Sequence, residues 1–509
     1  MSISKWLVLA CALCVLSVLS MTGATLAQST VTTSPGAEPR VISKTLEHGV
    51  PSAFLEWEEH QLFAVKGAYS FTGRSPVPFT GLSVGWLAGG PAEPRSFEVA
   101  IRTRKDEAPW TKWVHFRGDI GPGESPSNLF WSHLYTPLDF GVHTDYEIKI
   151  SPPDGVPLTF VRVVVADNSA VPEATVPSEP LRAPEAITTL GAPAQPTIIL
   201  RPQWLGAEHP WNVSQINITH AIVHHTVHHN IPRTEADSIQ LMRDIRLIDH
   251  MLGKGWSDIG YHFVIDREGR IFQGRHNPQL NTQDVMGDHA PPANSRSVGI
   301  ALMGQFYPGE DDPPVGHPSA AALRSLERLL AWRFHQRNLD PRGTANIATA
   351  WGTRNIHRIA GHREVSATAC PGDNLQVLLP TIRTHVRSLL PPWLRVSPAT
   401  ISGSLLVGTG WSTIGTVNVT NPGGGTLSWS ATDNRAWLRV IPISGTTATE
   451  TDTVVVQATT SGLGFGTHTG AITFTGASPA TNSPATVTVT LTIPTRPLGL
   501  QPGETEQPQ

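Results

Sequence analysis

The chain has 509 residues, 39% hydrophobic and 15% charged, with a formal net charge of −4. That length predicts about three domains, and the charge leaves no basic footprint for DNA or RNA, so nucleic-acid partners are excluded. With 45 Gly and 44 Pro, the composition favours β-rich modules and extended linkers over long helical bundles.

Residues 1–27 read as a secretory signal peptide. Lys5 makes the positive end, 6–19 the apolar run, and small residues at Thr25 and Ala27 suit cleavage before Gln28. The run is too short for a comfortable membrane span, so an uncleaved anchor is the weaker reading and no stable membrane insertion is expected after cleavage. Cys11 lies inside the apolar core rather than after it, which argues against a lipoprotein site. Cleavage removes Cys11 and Cys14 and leaves Cys370 as the single cysteine of an exported chain. Such a chain has no internal disulfide, and its thiol is left unmodified, buried or metal-bound. Export predicts a secreted, periplasmic or wall-associated protein.

After a disordered lead at 28–40, residues 41–170 carry short runs such as FEVAIRTR, TKWVHF, YEIKI and FVRVVVAD. These alternate apolar and polar residues between Gly/Pro-rich turns, the pattern of an antiparallel β-sandwich. A Pro/Ala-rich linker, 171–198, follows. Residues 199–390 then mix helices with strands, which predicts an α/β domain, a mixed sheet covered by helices. Strand-like INITHAIVHHT leads into a helix over 234–253, with Thr234 as N-cap, Asp237 completing a capping box and Gly253 as the stop. Ile239, Met242, Ile245, Ile248 and Leu252 form its apolar stripe. YHFVIDREGRIFQGR gives two strands around a turn, SVGIALMG a buried strand, and AALRSLERLLAWRFHQR and NLQVLLPTIRTHVRSLL two further helices. Thr/Val alternation over 391–493 predicts a second, immunoglobulin-like sandwich, and 494–509 reads as a disordered tail. The fold class is therefore multidomain, a central α/β domain flanked by two β-sandwiches.

The stretch HAIVHHTVHHN, residues 220–230, puts five histidines into eleven residues. It could be a metal-sequestering tract, a surface patch, or one ligand among bystanders. Residues two apart on a strand share a face, so His224 lines up with Ile222 while His225 lies opposite with Val223. Downstream, AGHREVSATACPGD places His362 after a strand-like run and Cys370 eight residues on. Imidazole nitrogen and thiolate sulfur are good zinc ligands, and three protein ligands leave a fourth position open, as in catalytic sites. Taken alone, that spacing also fits a buried cysteine near a loop histidine.

VHHT, WSDIGYHFVIDREGRIFQGR, GDHAPPANSRSVGIALMGQF and GHREVSATACPGD occur in that order. Together they resemble the peptidoglycan recognition protein family and the related phage amidases of the lysozyme type, which are zinc N-acetylmuramoyl-L-alanine amidases. RPQWLGA, from Arg201, resembles the opening segment of that family with an inserted Leu205. The resemblance covers about 199–390. It implies one Zn2+ held by His224, His362 and Cys370, and a catalytic tyrosine at Tyr261. Phage members carry a lysine where this chain has Thr368, which the resemblance makes a further hydrogen-bond donor. His289 and Asn294, from the NSxS block, are implied near the substrate groove, together with Arg275 and His225. Glu364, Asp258 and His262 read as structural.

The retained cysteine favours a secreted enzyme over a receptor without turnover. The partner implied is peptidoglycan, both glycan strand and stem peptide. The C-terminal region resembles BACON-like modules of exported bacterial enzymes. Its Trp411, Trp429 and Trp437 pack a sandwich core or stack on cell-wall polysaccharide.

Overall fold

The computed structural model describes residues 38–495, apart from 46–49, 63, 65–66, 94–95, 118–128, 133, 138, 170–190, 207–212, 229–231, 233 and 309–315. The signal peptide, most of the lead and of the Pro/Ala-rich linker, His229 and nearly all of the tail lie outside the described residues. No described helix is long and apolar enough to cross a membrane.

Nine strands open the described chain: β1 (Arg40–Thr45), β2 (Pro51–Glu58), β3 (Tyr69–Phe79), β4 (Gly81–Ala88), β5 (Glu98–Arg104), β6 (Val114–Arg117), β7 (Phe130–Trp131), β8 (His143–Ser151) and β9 (Leu158–Ala166). They form a sheet of order β1-β2-β9-β4-β7 and a second of order β3-β8-β5-β6. One core joins the two: Leu55, Trp86 and Val163 from the first meet Phe71, Ile101 and Ile148 from the second. The alternation read in FEVAIRTR belongs to the second sheet. In the first, β2 and β4 are buried almost without a break, because their other face is also covered.

The cover is helical. Phe54, Trp131, Val164 and Ala166 pack with Ile239, Met242, Ile245 and Ile248 in a single buried cluster. A short α1 (Arg201–Leu205) precedes the helix expected over 234–253. That helix is α2 (Glu235–Asp244), continued as a wider π-helical segment over Ile245–Lys254. Thr234 and Asp237 make the expected capping box. The stop is not Gly253 but Gly255, whose φ of 77° suits glycine. Gly253 instead faces Trp131 and Ser83 of the N-terminal sheet, and a Cβ there would press on the Ile248 carbonyl of its own helical segment.

The central sheet contains β10 (Ile198–Ile199), β12 (His220–His225), β13 (Phe263–Ile265), β14 (Ile271–Gln273), β16 (Ser297–Leu302) and β19 (Ile359–Gly361). Its order is β10-β14-β13-β16-β12-β19. A separate short pair, β11 (Gln215–Ile216) and β15 (Asp284–Val285), runs antiparallel. The strands β13, β16, β12 and β19 run parallel, so their C-terminal ends share one edge. One face carries α3 (Ala320–Gln336) and α5 (Leu379–Ser388), whose Leu326, Leu330, Ile382 and Val386 bury Val223, Ile300 and Ile359. The opposite face contributes Val264, Phe272 and Ala301 to the cluster shared with α2 and the N-terminal sheet. Burial on both faces is what short, continuously apolar parallel strands require. The last predicted helix is two, α4 (Asp373–Gln376) and α5, with Pro380 in the first turn of α5, where its missing N–H costs nothing.

A hairpin, β17 (Thr344–Thr349) and β18 (Gly352–His357), precedes β19. From Arg395 onward nine strands form a four-stranded and a five-stranded sheet around one core. Trp429 and Trp437 are buried in that core, whereas Trp411 is 41% exposed with the Arg439 guanidinium over its ring.

Candidate metal centre

Two parallel strands set up the site. Val223 of β12 pairs with Gly361 of β19, so the next residues, His224 and His362, leave adjacent strands at the same edge. Their ring centroids are 4.4 Å apart. Alternation then sorts the histidine run. His224 shares its face with Ile222, which packs on Ala360 and Val365. His225 is buried on the other face, where Phe306 N–H donates to Nδ1 and Tyr307 Oη lies 3.3 Å from Nε2.

Cys370 reaches the same edge from the loop that follows the single helical turn His362–Glu364. Its carbonyl accepts Arg363 N–H at 2.9 Å, and its own N–H donates to Thr368 Oγ1 at 3.2 Å. His225 N–H points at Cys370 Sγ from 3.4 Å, a contact that favours the thiolate. Cys370 is buried and in no disulfide. His224, His362 and Cys370 each offer one donor atom, and the three donors lie within 4.8 Å of one another.

The spacing fits zinc. Nitrogen and sulfur ligands about 2.05 and 2.3 Å from a tetrahedral ion stand roughly 3.6 Å apart, and His224 Nδ1 lies 3.6 Å from Cys370 Sγ. The other ring nitrogen of His224 fixes the tautomer. His289 Nε2 faces the Ser297 carbonyl at 3.5 Å, which can only accept, so His289 carries its proton there. Its Nδ1 then accepts from His224 Nε2 at 3.0 Å, leaving the Nδ1 lone pair of His224 turned to the cluster. Burial, reinforced for His224 by the neighbouring His362, holds His224 and His289 well below the ordinary histidine range. Both are therefore neutral, as a ligand and its supporting acceptor must be. Gly299 lies beneath His289, and a Cβ there would collide with the imidazole.

Residues 214–373 match the family described as N-acetylmuramoyl-L-alanine amidase. Peptidoglycan-recognition protein SC2 of Drosophila melanogaster is 30% identical over 180 residues, 35% of this chain and 82% of that relative. Peptidoglycan-recognition protein SC1a of the same fly is 27% identical over 179 residues, 35% of this chain and 81% of the relative. The solved structure of wild-type Drosophila PGRP-LB aligns at 29% identity over 36% of this chain and 93% of that one, with a TM-score of 0.29. The chain belongs to the peptidoglycan recognition protein and type 2 amidase family.

The remaining residues expected in the family's site divide into two groups. Tyr261 is at the centre, its ring 5.2 Å from that of His224. Thr368 is buried, with its oxygen engaged by the Cys370 N–H. Asn294 spends its Oδ1 on the backbone of His289 and Ala290, at 3.0 and 2.8 Å, and so shapes the loop that presents His289. Arg275 is buried against Asp288, at 3.1 Å, and the Ile259 carbonyl. His225 faces away from the metal donors, because a one-residue step along a strand reverses the side chain.

Asp258 is fully buried between Arg201 and Arg246, at 2.9 and 2.6 Å, and anchors the loop before Tyr261. His262 accepts the Gly299 N–H and faces the Val285 carbonyl. Burial pushes its pKa down to about 4, so it packs as a neutral ring. Glu364 is tied to Gly361 N–H and Gln376.

His250 belongs to none of the motif blocks in the sequence. It projects from the π-helical segment, packs its ring 5.2 Å from Tyr261, and accepts the Gly260 N–H at 3.1 Å. Its only sequence signal was a polar residue beside the apolar stripe of a helix, which ordinarily marks the solvent side.

Proposed function

We propose that the chain is an exported zinc-dependent N-acetylmuramoyl-L-alanine amidase that hydrolyses the amide between N-acetylmuramic acid and L-alanine in peptidoglycan. The observation that carries the reading is the donor set itself. Two histidines and one cysteine converge, His224 Nδ1 and Cys370 Sγ at the separation of zinc ligands, and three protein ligands would leave a fourth position for reactants. A closed structural site would use four protein ligands.

Zinc held there supplies a Lewis acid and hydroxide at neutral pH. The chain's own residues do the rest. His289 holds His224 in the coordinating tautomer, and His225 N–H and the Thr368 hydroxyl fix Cys370. The Tyr261 hydroxyl donates to the oxyanion that develops on the scissile carbonyl, the role a preorganised donor fills best. Asp258 and His250 anchor the segment that leads into Tyr261. Asn294 and Arg275 hold the loops beside the groove that would admit the muramoyl peptide.

Residues 1–27 would direct export, and 41–170 and 391–493 would act as flanking β-domains around the amidase domain at 199–390. Wall polysaccharide is a candidate ligand for the flanking domains.

Mass spectrometry of sacculus digests tests the activity. Wild type is expected to release peptides with a new L-alanine amino terminus, and Cys370→Ser to release none. Sacculi bound but returned uncut by zinc-loaded wild type would replace the enzyme with a receptor.

A further inference from the structure

The hairpin β17–β18 stands against the loop that carries two of the metal donors. Its two-residue turn, Ala350 and Trp351, is held by Ala350 N–H donating to the Val365 carbonyl at 2.8 Å, while Val365 N–H donates to the His362 carbonyl. Ile347 of β17 is buried with Val365, Ile222 and Ala293. Ser366, next in the same loop, donates to the Pro291 carbonyl beside the His289 segment. The turn is fixed internally as well. Thr349 Oγ1 accepts Trp351 N–H at 3.1 Å and donates to the Gly352 carbonyl at 2.7 Å, and Gly352 takes the left-handed φ of 89°.

This rigid turn presents a large aromatic to water. Trp351 is 47% exposed, and the Arg354 guanidinium lies 4.9 Å from its ring. Arg354 pairs with Ile347 across the hairpin, so it shares the face that turns toward the metal-donor loop. Asn346 and Asn355 pair on the opposite face and hydrogen-bond to each other. An exposed indole at the tip of the hairpin has no core to fill. A cation stacked on one ring face leaves the other for an apolar sugar face, and a guanidinium matches a nearby carboxylate.

Resting on the amidase reading, we propose that the Trp351–Arg354 turn is an accessory subsite that grips the glycan strand next to the muramoyl residue being cleaved. Trp351 stacks on a sugar ring, and Arg354 pairs with a carboxylate of a stem peptide. The subsite is continuous with the metal centre through Val365, and its charge is opposite to that of the stem carboxylates. It therefore acts on polymer more than on isolated muramoyl peptides.

The test compares full-length wild type, Trp351→Ala, Trp351→Phe and Arg354→Lys, all zinc-loaded. Two readouts are taken: co-sedimentation with purified sacculi, and turnover of sacculi against a monomeric muramoyl peptide. Trp351→Ala is expected to weaken sedimentation roughly fivefold and raise KM on sacculi by the same factor, with Trp351→Phe recovering most of the loss. Its penalty on sacculi should exceed that on the monomer severalfold. Equal penalties on both substrates, or sedimentation equal to wild type, would overturn the subsite. If wild type cleaves neither substrate, the amidase reading fails by itself, and sedimentation still decides whether Trp351 grips the polymer.

Discussion

Asp244 sits where α2 meets the N-terminal sheet, fully buried. Its Oδ1 accepts from Thr80 and Asn168 of the N-terminal region, at 2.9 and 2.7 Å, and from Gln240 of its own helix at 3.0 Å. Arg243 is the charged neighbour and donates to the Trp204 carbonyl. Asp244 Oδ2 is buried with no hydrogen-bond partner among the described residues. Burial therefore outweighs the three donors and lifts the carboxyl from its usual 3.8 to about 7.

The sign follows from proton counting. Between the two values the unfolded chain ionises while the folded chain stays protonated, so stability falls as pH rises through this window and levels off above about 7. A shift of that size corresponds to about 4 kcal/mol, of which about 2.5 kcal/mol is lost between pH 5 and 8. Asp244→Asn keeps an oxygen for the three donors but cannot ionise. Its melting temperature relative to wild type should therefore climb by roughly 6–10 °C between pH 5 and pH 8. Differential scanning calorimetry of both proteins across that range measures it, and titrations common to both cancel. An offset constant to within about 1 °C would refute the argument.

Three further outcomes concern the metal centre. Cys370→Ser should lower bound zinc from one equivalent to a small fraction after dialysis, read by atomic absorption, and abolish turnover. His289→Ala removes the acceptor that fixes His224 and should weaken zinc about 10–100-fold in a competition titration, with the ligands untouched. Tyr261→Phe should keep full zinc occupancy yet lower kcat roughly 100–1,000-fold, which separates oxyanion stabilisation from metal retention.

Much of the site could be read before folding because its residues lie in ordered, chemically distinctive blocks. Ligand chemistry made His224, His362 and Cys370 candidates, and the family resemblance of those blocks singled them out. The supporting residues were less legible. His289 orients His224 through a ring-to-ring hydrogen bond that depends on β16 lying beside β12. Asn294 and Arg275 were expected at the groove, but their contacts hold loops. His225 belongs to the same dipeptide as His224, yet the pleat sends it to Phe306 and Tyr307.

Local pattern by itself determined the order of strands and helices and the capping box at Thr234, because each rests on near neighbours, while the candidate ligand set came from ordered blocks that resemble a known family. Tertiary structure alone decided that β2, β4 and β9 are buried on both faces, since the second face is covered by a helix more than sixty residues away in sequence. It also turned Gly253 from a helix stop into a contact surface and buried Asp244 between two parts of the chain. Period-two alternation reports a strand's own two faces but not what arrives against them, and that is fixed only when distant segments pack together.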